Sequence, residues 1–318
     1  MNPSLKRKIL LLLVILVFAL LLGITKGSVK LSVVELLLKE NRQIFYLRLS
    51  RILLAIITGS GLAVSGIVLQ AVLRNPLAEP YLLGTSSGAG LAAVLAIIIG
   101  ISSVYLPFVA FLGAILAILL VYNLAKRDNK IPVQSLVLSG VIVSIALSSI
   151  IVFLISVSVN ETLHGILWWL WGSLQVYDFR LLFIVSIIVV IGTLMVFVLS
   201  QDLNAISIGE EEAIHLGVKT ETIKKALFFI TSLITASLVC ICGVIGFVGL
   251  IIPHAMRFIV GPNHKVLIPV SCLAASAFMI ICDLLSRTIM SPLEIPIGVI
   301  TAIVGAPIFI ILFKTSNK

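Results

Sequence analysis

The amino-acid sequence predicts an all-α integral membrane protein, and two observations carry this prediction. Hydrophobic residues make up 60% of the chain and charged residues 11%, against roughly 25% charged residues in a soluble domain. The apolar residues form continuous runs, and a bilayer core of about 30 Å needs about 20 of them per helix. Because the runs do not alternate with polar residues, they argue against a β-barrel.

About ten apolar segments are long enough to be considered as spans, and 1–318 is interpreted as one transmembrane domain. They begin near Ile9, Leu49, Leu82, Val104, Pro132, Arg180, Lys225, Ile251, Val266 and Glu294. The eighth, 251–260, is too short for a straight crossing, so we expect a broken or strongly tilted span with Pro253 breaking the chain. No small-x-small cleavage site follows Leu22, so the first run is kept as a span.

The distribution of basic residues predicts that both termini lie in the cytoplasm. Both ends are basic, and an even number of spans places them on one side, which the positive-inside tendency assigns to the cytoplasm. The net charge of +9 is therefore interpreted as loop asymmetry and not as nucleic-acid binding. The cysteines lie in apolar spans and are interpreted as packing residues, with no disulfide and no metal site.

The predicted outer segment 25–47 is an exception to that charge rule. It carries Lys26, Lys30, Lys39 and Arg42, and Arg48 and Arg51 follow at the start of the second span. Such an electropositive outer surface fits an acidic partner protein. Contact with lipid head groups, with long side chains snorkelling to them, is the alternative.

Three sequence motifs resemble one family over nearly the whole chain. R-L-S-R (48–51) with SGIVLQAVLRNPLAEPYLLGTSSGAG (65–90), GVIGFVGLIIPHAMRF (243–258) and EIPIGVITAIVGAP (294–307) resemble FecCD-type (BtuC-like) permeases. These are the membrane subunits of ABC importers for iron-siderophore, haem and cobalamin. The resemblance implies the BtuC-like type II ABC importer fold and a separate ATPase. It does not identify the cargo.

The two halves of the chain also resemble each other. A glycine-led apolar run breaks at proline with an arginine nearby at 65–80 and again at 245–262. Because the second span runs inward and the seventh outward, spans 2–5 and 7–10 are predicted to form an inverted repeat. The small face of Gly59, Gly61, Ser65 and Gly66 predicts close helix packing. The glycine-rich run 84–90 is assigned to packing too, because no G-x-x-x-x-G-K-[ST] motif occurs.

The segment 202–225 is the one long polar stretch, and it is called the polar island below. Ser207 and Glu210 have capping-box spacing, the acidic run from Glu210 suits a first helical turn, and Gly217 suits a helix end. These features predict a helix, a glycine bend and a second helix starting at Thr220; an ordinary capped surface loop is the alternative. The resemblance implies an ATPase-coupling role for Ser207, Gly209, Glu210, Ala213, Leu216 and Gly217.

Other candidate sites follow from the resemblance together with residue spacing. Arg48, Arg51 and Arg287 match outer arginines that receive acidic side chains of a binding protein. Charge reversal at Arg51 is expected to abolish docking and leave folding intact. Asp283 precedes Arg287 by four residues, the favoured order for a helical ion pair.

A serine stripe and a tryptophan cluster are the remaining candidates. Ser144, Ser148 and Ser156 share one helical face, which suits a translocation path or simple helix packing; the resemblance favours the path. His164, Trp168, Trp169 and Trp171 suit an interfacial aromatic belt or an apolar rim at the cargo entrance. The scattered histidines, among them His254, do not suggest a metal site.

The predicted function is that of the permease subunit of an ABC importer in a bacterial or archaeal cytoplasmic membrane. The chain has no catalytic constellation and no nucleotide loop, so we expect no enzyme activity and no cofactor. The expected partners are a second copy, two ATPase subunits, one extracytoplasmic binding protein and lipid, but no nucleic acid. The expected cargo is an iron complex, with cobalamin as the alternative. An ion-coupled transporter would need acidic residues in mid-membrane, and a non-transporting scaffold would not need a broken span.

Overall fold

The computed structural model describes residues 3–29, 31–127, 130–176 and 178–316. In these ranges the chain is helical, and the one β-bridge joins Arg127 to Lys130. The α-helices are α1 (Pro3–Thr25), α2 (Val33–Leu37), α3 (Arg42–Val72), α4 (Thr85–Ile98), α5 (Leu106–Ala125), α6 (Val133–Val157), α7 (Asn160–Leu170), α8 (Phe179–Val198), α9 (Ser200–Ile208), α10 (Glu210–His215), α11 (Thr220–Cys242), α12 (Val248–Val260), α13 (His264–Thr288) and α14 (Ile297–Ser316). The predicted all-α fold is confirmed.

Ten of these helices correspond to the ten predicted spans. Among the described residues, seven are long and apolar enough to cross a membrane, namely α1, α3, α5, α6, α8, α11 and α13. Three shorter apolar helices, α4, α12 and α14, complete the set. α2, α7, α9 and α10 connect the spans. The predicted short eighth span is confirmed as α12, which has 13 residues.

The centre of the bundle is built by α3, α11 and α13. In the most apolar 18-residue stretch of each of these helices, 78%, 67% and 67% of the residues are buried. The corresponding shares are 11% in α1 and 17% in α6. The main core cluster contains Leu54, Leu62, Leu238 and Leu267 from the three central helices. The outer helices therefore keep most of their apolar surface for lipid or for another chain.

Glycines allow the central helices to approach closely. A Cβ atom on Gly59 would lie 2.5 Å from the carbonyl oxygen of Ala275, and one on Gly66 would overlap the carbonyl oxygen of Gly249. Backbones can pack at this distance only where side chains are absent. The predicted close packing is confirmed for Gly59 against α13 and for Gly66 against α12, but the four residues do not form one face, because Gly61 lies against side chains of α11 and α8.

The break before α12 is a non-helical segment, 243–247, that crosses the interior. Nearby helix ends bond to the irregular segment after α7: the Ser173 N–H donates at 2.8 Å to the carbonyl of Cys242, the last residue of α11, and the N–H of Gly298, in the first turn of α14, donates to the Trp171 carbonyl at 3.0 Å. Irregular backbone at membrane depth is stable only when protein groups satisfy its polar atoms. The segment after α7 thus satisfies part of this requirement at the end of α11 and at the start of α14.

The predicted break at Pro253 is wrong, because Pro253 lies inside α12. A proline removes the N–H that would bond to the carbonyl four residues earlier, which here belongs to Gly249. The Gln70 amide donates to the Gly249 carbonyl at 3.3 Å and to the Leu250 carbonyl at 3.2 Å. A side chain from α3 thus replaces the missing helical bond, and the helix continues through the proline.

The order of the elements agrees with the predicted inverted repeat. In each half a long helix, α3 or α11, is followed by a short apolar helix, α4 or α12, and then by two further apolar helices. The connection between α3 and α4 contains a short 3-10 helix (Pro80–Leu83), and the connection between α11 and α12 is irregular. These two connections contact each other. The Phe247 N–H donates to Glu79 at 2.8 Å, and the Ile245 N–H donates to the Tyr81 hydroxyl at 3.1 Å.

Candidate functional site

Two candidate sites lie at opposite ends of α13. At its first residue, the His264 N–H donates at 2.9 Å to the side chain of Asn204, which lies in α9 of the polar island. Near its last residue, Arg287 pairs with Asp283 at 2.9 Å. At 1.5 Å per residue, the helix separates these two ends by about 35 Å.

The three predicted docking arginines meet in one cavity of about 370 Å³, called the arginine cavity below. Its lining includes Arg48, Arg51, Arg287, Gln175 and Glu294. These residues belong to four parts of the chain: α3, the end of α13, the connection 289–296 and the irregular segment after α7. Gln175 was not among the residues predicted from the sequence, and Glu294 appeared there only as the start of the tenth span and of a motif.

Arg51 is held by two carboxylates. Its Nη2 and Nε donate to Asp283 Oδ1 at 2.8 and 3.0 Å, and its Nη1 donates to both oxygens of Glu294 at 2.9 and 3.0 Å. Asp283 also pairs through its second oxygen with Arg287 at 2.9 Å, so the predicted helical pair is confirmed. Charge-assisted bonds of this geometry are among the strong ones in proteins.

Arg48 and Arg287 donate hydrogen bonds to carbonyl groups at the C-terminal end of α1. Arg48 donates to the carbonyls of Ile24, Thr25 and Val29 at 2.8, 3.0 and 2.7 Å. Arg287 donates more weakly to the Gly23 carbonyl at 3.4 Å. The last carbonyls of a helix lack intrahelical partners and carry partial negative charge, which guanidinium groups stabilise.

Because these arginines are buried, their mutation would affect the stability of the fold as well as docking. Arg48, Arg51 and Arg287 are 4%, 8% and 3% exposed. Reversing the charge of Arg51 would leave two carboxylates beside a third, and loss of one partner from a buried pair costs about 3–5 kcal/mol. Because Arg51 is part of the folded interior, we expect Arg51→Glu to destabilise the fold as well as to affect docking.

The basic outer segment forms a short structured connection before α3. Ser32 and Glu35 make a capping box: the Ser32 N–H donates to the Glu35 carboxylate at 2.7 Å, and the Glu35 N–H donates to the Ser32 hydroxyl at 3.2 Å. These bonds hold the pKa of Glu35 below its usual value. Val34 and Leu38 remain exposed beside Lys39, which gives this surface both apolar and basic character.

The polar island contains α9, α10 and the start of α11. The predicted acidic first turn of α10, the glycine bend at Gly217 (φ 83°) and the start of α11 at Thr220 are confirmed. The predicted capping box is wrong: the Ser207 hydroxyl donates to the Asn204 carbonyl at 2.7 Å within α9. α9 extends to Ile208 because Leu203 and Ile206 pack inward, so Gly209 precedes α10 in place of Ser207.

The coupling residues divide between an exposed tip and a buried support. Leu216 is 68% exposed, and Ile208 and Ile214 are exposed beside it. Ala213 is fully buried against Ala205 and Ile206, so in this structure its side chain supports α10 from inside. The sequence analysis did not single out Ile208 and Ile214, although exposed isoleucines in a polar stretch are a recognisable signal.

A buried lysine fixes α10 to α11. The ammonium of Lys224, 4% exposed, pairs with Glu210 at 3.0 Å and with Glu221 at 2.5 Å. Glu221 also accepts from the Ile131 N–H at 3.2 Å, which reaches the connection between α5 and α6. One ion-pair cluster thus joins the polar island to two neighbouring parts of the bundle.

The serine stripe lies on the weakly buried face of α6. Ser144 and Ser148 line a shallow groove of about 460 Å³ together with Ser149. Ser156 does not line this groove; its hydroxyl donates to the Phe153 carbonyl at 2.7 Å. Within the described chain this face therefore has little cover from other helices.

Two of the three tryptophans, Trp168 and Trp169, contribute to a second cavity, which shares Gln175 with the arginine cavity. His164 stacks on Trp168 with ring centroids 5.8 Å apart. Both residues and Trp169 line a cavity of about 490 Å³ beside the end of α11. Among the described residues, no group of three or more His, Cys, Asp or Glu side chains is arranged to hold a metal ion.

A bundle of ten apolar helices is the architecture of a multi-span membrane protein. The chain belongs to the FecCD transport family, whose model matches residues 11–315. Membership makes it a transmembrane permease subunit of the ABC importer type, a class that works with ATPase and binding-protein partners.

Individual comparisons agree with this family. The chain is 39% identical over 269 residues to the cobalamin import system permease protein BtuC of Halobacterium salinarum, covering 84% of this chain and 72% of that one. It is 31% identical over 331 residues to the hemin transport system permease protein HmuU of Yersinia pestis, covering 100% and 99%. A solved inward-facing structure assigned to the metal-chelate type of ABC transporter matches with a TM-score of 0.89, at 34% identity and 98% and 99% coverage.

Proposed function

We propose that two copies of this chain form the translocation path of an ABC importer for a metal chelate. The main observation behind this proposal is that one end of the bundle has an exposed apolar tip and the other end has an arginine-lined cavity. The same central helices connect the two, so movement at one end can reach the other. Two separate ATPase subunits bind at the polar island, and one extracytoplasmic binding protein binds at the arginine cavity.

The coupling surface consists of the tip of α10 and the bend that follows it. Leu216, with Ile208 and Ile214, presents apolar area that a groove in a partner can bury. Glu210, Gly209 and Gly217 shape the segment, and Ser207 and Ala213 support it from α9 and from the interior. Closure of the ATPase subunits moves this segment and, through Lys224, the start of α11.

The docking surface for the binding protein surrounds the arginine cavity. Arg48, Arg51 and Arg287 give the cavity positive charge, which steers acidic side chains and selects for them. The basic segment 31–47 leads into the first turns of α3 at the same end of the bundle and extends this field.

The translocation path runs along α6 of each copy, with Ser144, Ser148 and Ser156 as weakly polar contacts. The uncovered face of α6 supports this arrangement, since a second copy would enclose the groove. The protein lies in a bacterial or archaeal cytoplasmic membrane with both termini in the cytoplasm, in agreement with the basic ends of the chain.

An iron complex, as a siderophore or as haem, is the proposed cargo. Relatives named for haemin and for cobalamin support the wider class of metal chelates, and cobalamin is the alternative. An ion-coupled transporter is disfavoured because Asp283, a buried carboxylate of the span α13, is already paired with two arginines.

Purification of the tagged chain from its native host in mild detergent tests the proposal. The expected result is co-purification of a nucleotide-binding ATPase and of a binding protein whose visible spectrum identifies a ferric siderophore, haem or corrin. Recovery of the chain alone, under conditions that keep other membrane complexes intact, would contradict the importer assignment.

A further inference from the structure

The two carboxylates that hold Arg51 differ in how firmly they are fixed. The Asp283 side chain is 1% exposed, lies on α13 and pairs with both Arg51 and Arg287. The Glu294 side chain is 22% exposed, lies on the irregular connection 289–296 and lines the cavity. Its carboxylate also accepts from the Gln175 amide at 3.1 Å. Asp283 is thus an interior counter-ion, and Glu294 is a counter-ion at the cavity wall.

The charges around the cavity do not cancel. Three arginines, Arg48, Arg51 and Arg287, stand against the two carboxylates Asp283 and Glu294, which gives 3 − 2 = +1. Within the described chain, Arg48 pairs with carbonyl oxygens and with no carboxylate. The cavity therefore has both the volume and the charge to accept one more acidic side chain.

We propose that Glu294 occupies the position that an acidic side chain of the partner protein takes on docking. This inference rests on the proposed docking function. The partner carboxylate enters the arginine cavity, bonds to Arg51 Nη1 beside Arg48, and displaces Glu294 toward solvent. Asp283 stays in place, so Arg51 keeps a counter-ion throughout. The number of ion pairs at Arg51 is unchanged by the exchange, which avoids leaving a guanidinium group buried without a partner.

The exchange also has a mechanical consequence. The bond between Arg51 and Glu294 joins α3 to the connection between α13 and α14. Displacement of Glu294 removes this link, so docking at the cavity loosens the connection that leads into α14. Glu294 is accordingly a competitor of the partner and a positioning residue for that connection.

Glu294→Gln tests the exchange. The amide is close in size to the carboxylate and can still accept a bond from Arg51, but it lacks the charge that competes with the partner. The purified complex is placed in lipid nanodiscs, and its affinity for the co-purified binding protein is measured at several salt concentrations. We expect binding about tenfold tighter than wild type, since competition lowers the apparent affinity by the fraction of competent sites. The affinity should also fall more steeply with salt.

Two further variants complete the test: one is a control, and the other is a replacement in case Glu294→Gln folds poorly. Glu40→Gln removes an exposed carboxylate from the connection before α3 and should leave affinity almost unchanged. If Glu294→Gln is poorly folded, Glu294→Asp retains the charge on a shorter side chain and should also tighten binding, by a smaller factor. Equal or weaker binding in a folded Glu294 variant, with an unchanged salt dependence, overturns the exchange but leaves docking intact. Absence of binding by wild type and variants alike overturns the docking function and the exchange together.

Discussion

At the scale of single residues, Leu216 gives the clearest test of coupling. Its side chain is 68% exposed on the polar island, so a polar replacement should not disturb the interior. Leu216→Asp is expected to weaken ATPase binding about 30-fold, since central interface contacts cost about 2 kcal/mol when lost. Uptake should be lost while ATP hydrolysis by the separate ATPase continues.

Transport and hydrolysis in reconstituted vesicles measure this effect. Val104→Asp is the matched control, because Val104 is an exposed apolar residue in the connection between α4 and α5. Normal coupling in Leu216→Asp would contradict the proposed docking surface.

Lys224 is predicted to affect coupling more than stability. Lys224→Met removes the ion-pair cluster, but Glu210 and Glu221 are about one-third exposed and can be hydrated. The expected loss of stability is therefore about 1 kcal/mol or less. The orientation of α10 on α11 would lose its main polar restraint, so more ATP should be consumed for each cargo molecule imported.

The ratio of ATP hydrolysed to cargo imported checks this expectation. Lys219→Met serves as the control, because Lys219 is exposed and lies one residue before α11. An unaltered ratio in Lys224→Met would show that the cluster is not needed for coupling.

At the scale of helices, the packing of α3 on α12 depends on the absence of a side chain. Gly66→Ala would place a methyl group against the Gly249 carbonyl, and overpacking of this kind costs about 1–3 kcal/mol. We expect a lower midpoint of thermal unfolding and a lower yield of folded protein. Gly165→Ala on α7 should match wild type, because beyond the adjoining residues and backbone of α7 itself no atom lies within 4 Å of the added carbon.

The start of α12 depends on side chains from the connection between α3 and α4. Phe247 has φ 73°, and its N–H bonds to Glu79. Glu79→Ala would leave that N–H without its acceptor, at a cost of about 1–3 kcal/mol, whereas Glu79→Gln keeps an acceptor oxygen. Thermal unfolding should therefore rank wild type and Glu79→Gln above Glu79→Ala. Equal stability of the two variants would argue against this bond as the support of α12.

At the scale of the whole molecule, the predicted orientation assigns the two ends of the bundle to opposite sides of the membrane. Val34, 73% exposed, belongs to the end with the arginine cavity, and Leu216 belongs to the polar island. Val34→Cys should react with a membrane-impermeant maleimide in intact cells. Leu216→Cys should react only in inverted vesicles.

The wild-type chain is the control for this labelling. Three of its four cysteines are buried and the fourth is half-buried, so background labelling should be low. Labelling of both variants from the same side would contradict the proposed topology.

The sequence by itself determined the class of the protein, its apolar spans and its family. It also located the short eighth span, the glycine bend at Gly217 and the pair of Asp283 with Arg287. These features depend on neighbouring residues: runs of apolar side chains, helix ends and i, i+4 spacing are local properties that a single sequence records.

Only the tertiary structure decided which distant groups meet. Arg51 and Glu294 are 243 positions apart, and Glu79 and Phe247 are 168 apart, so no local pattern predicts their contact. The same holds for Pro253. It stays helical because Gln70 of α3 donates to the Gly249 carbonyl, which the proline leaves without a helical partner. The polar atoms of a membrane interior must find partners inside the protein, and the packing of the helices determines which partners are within reach.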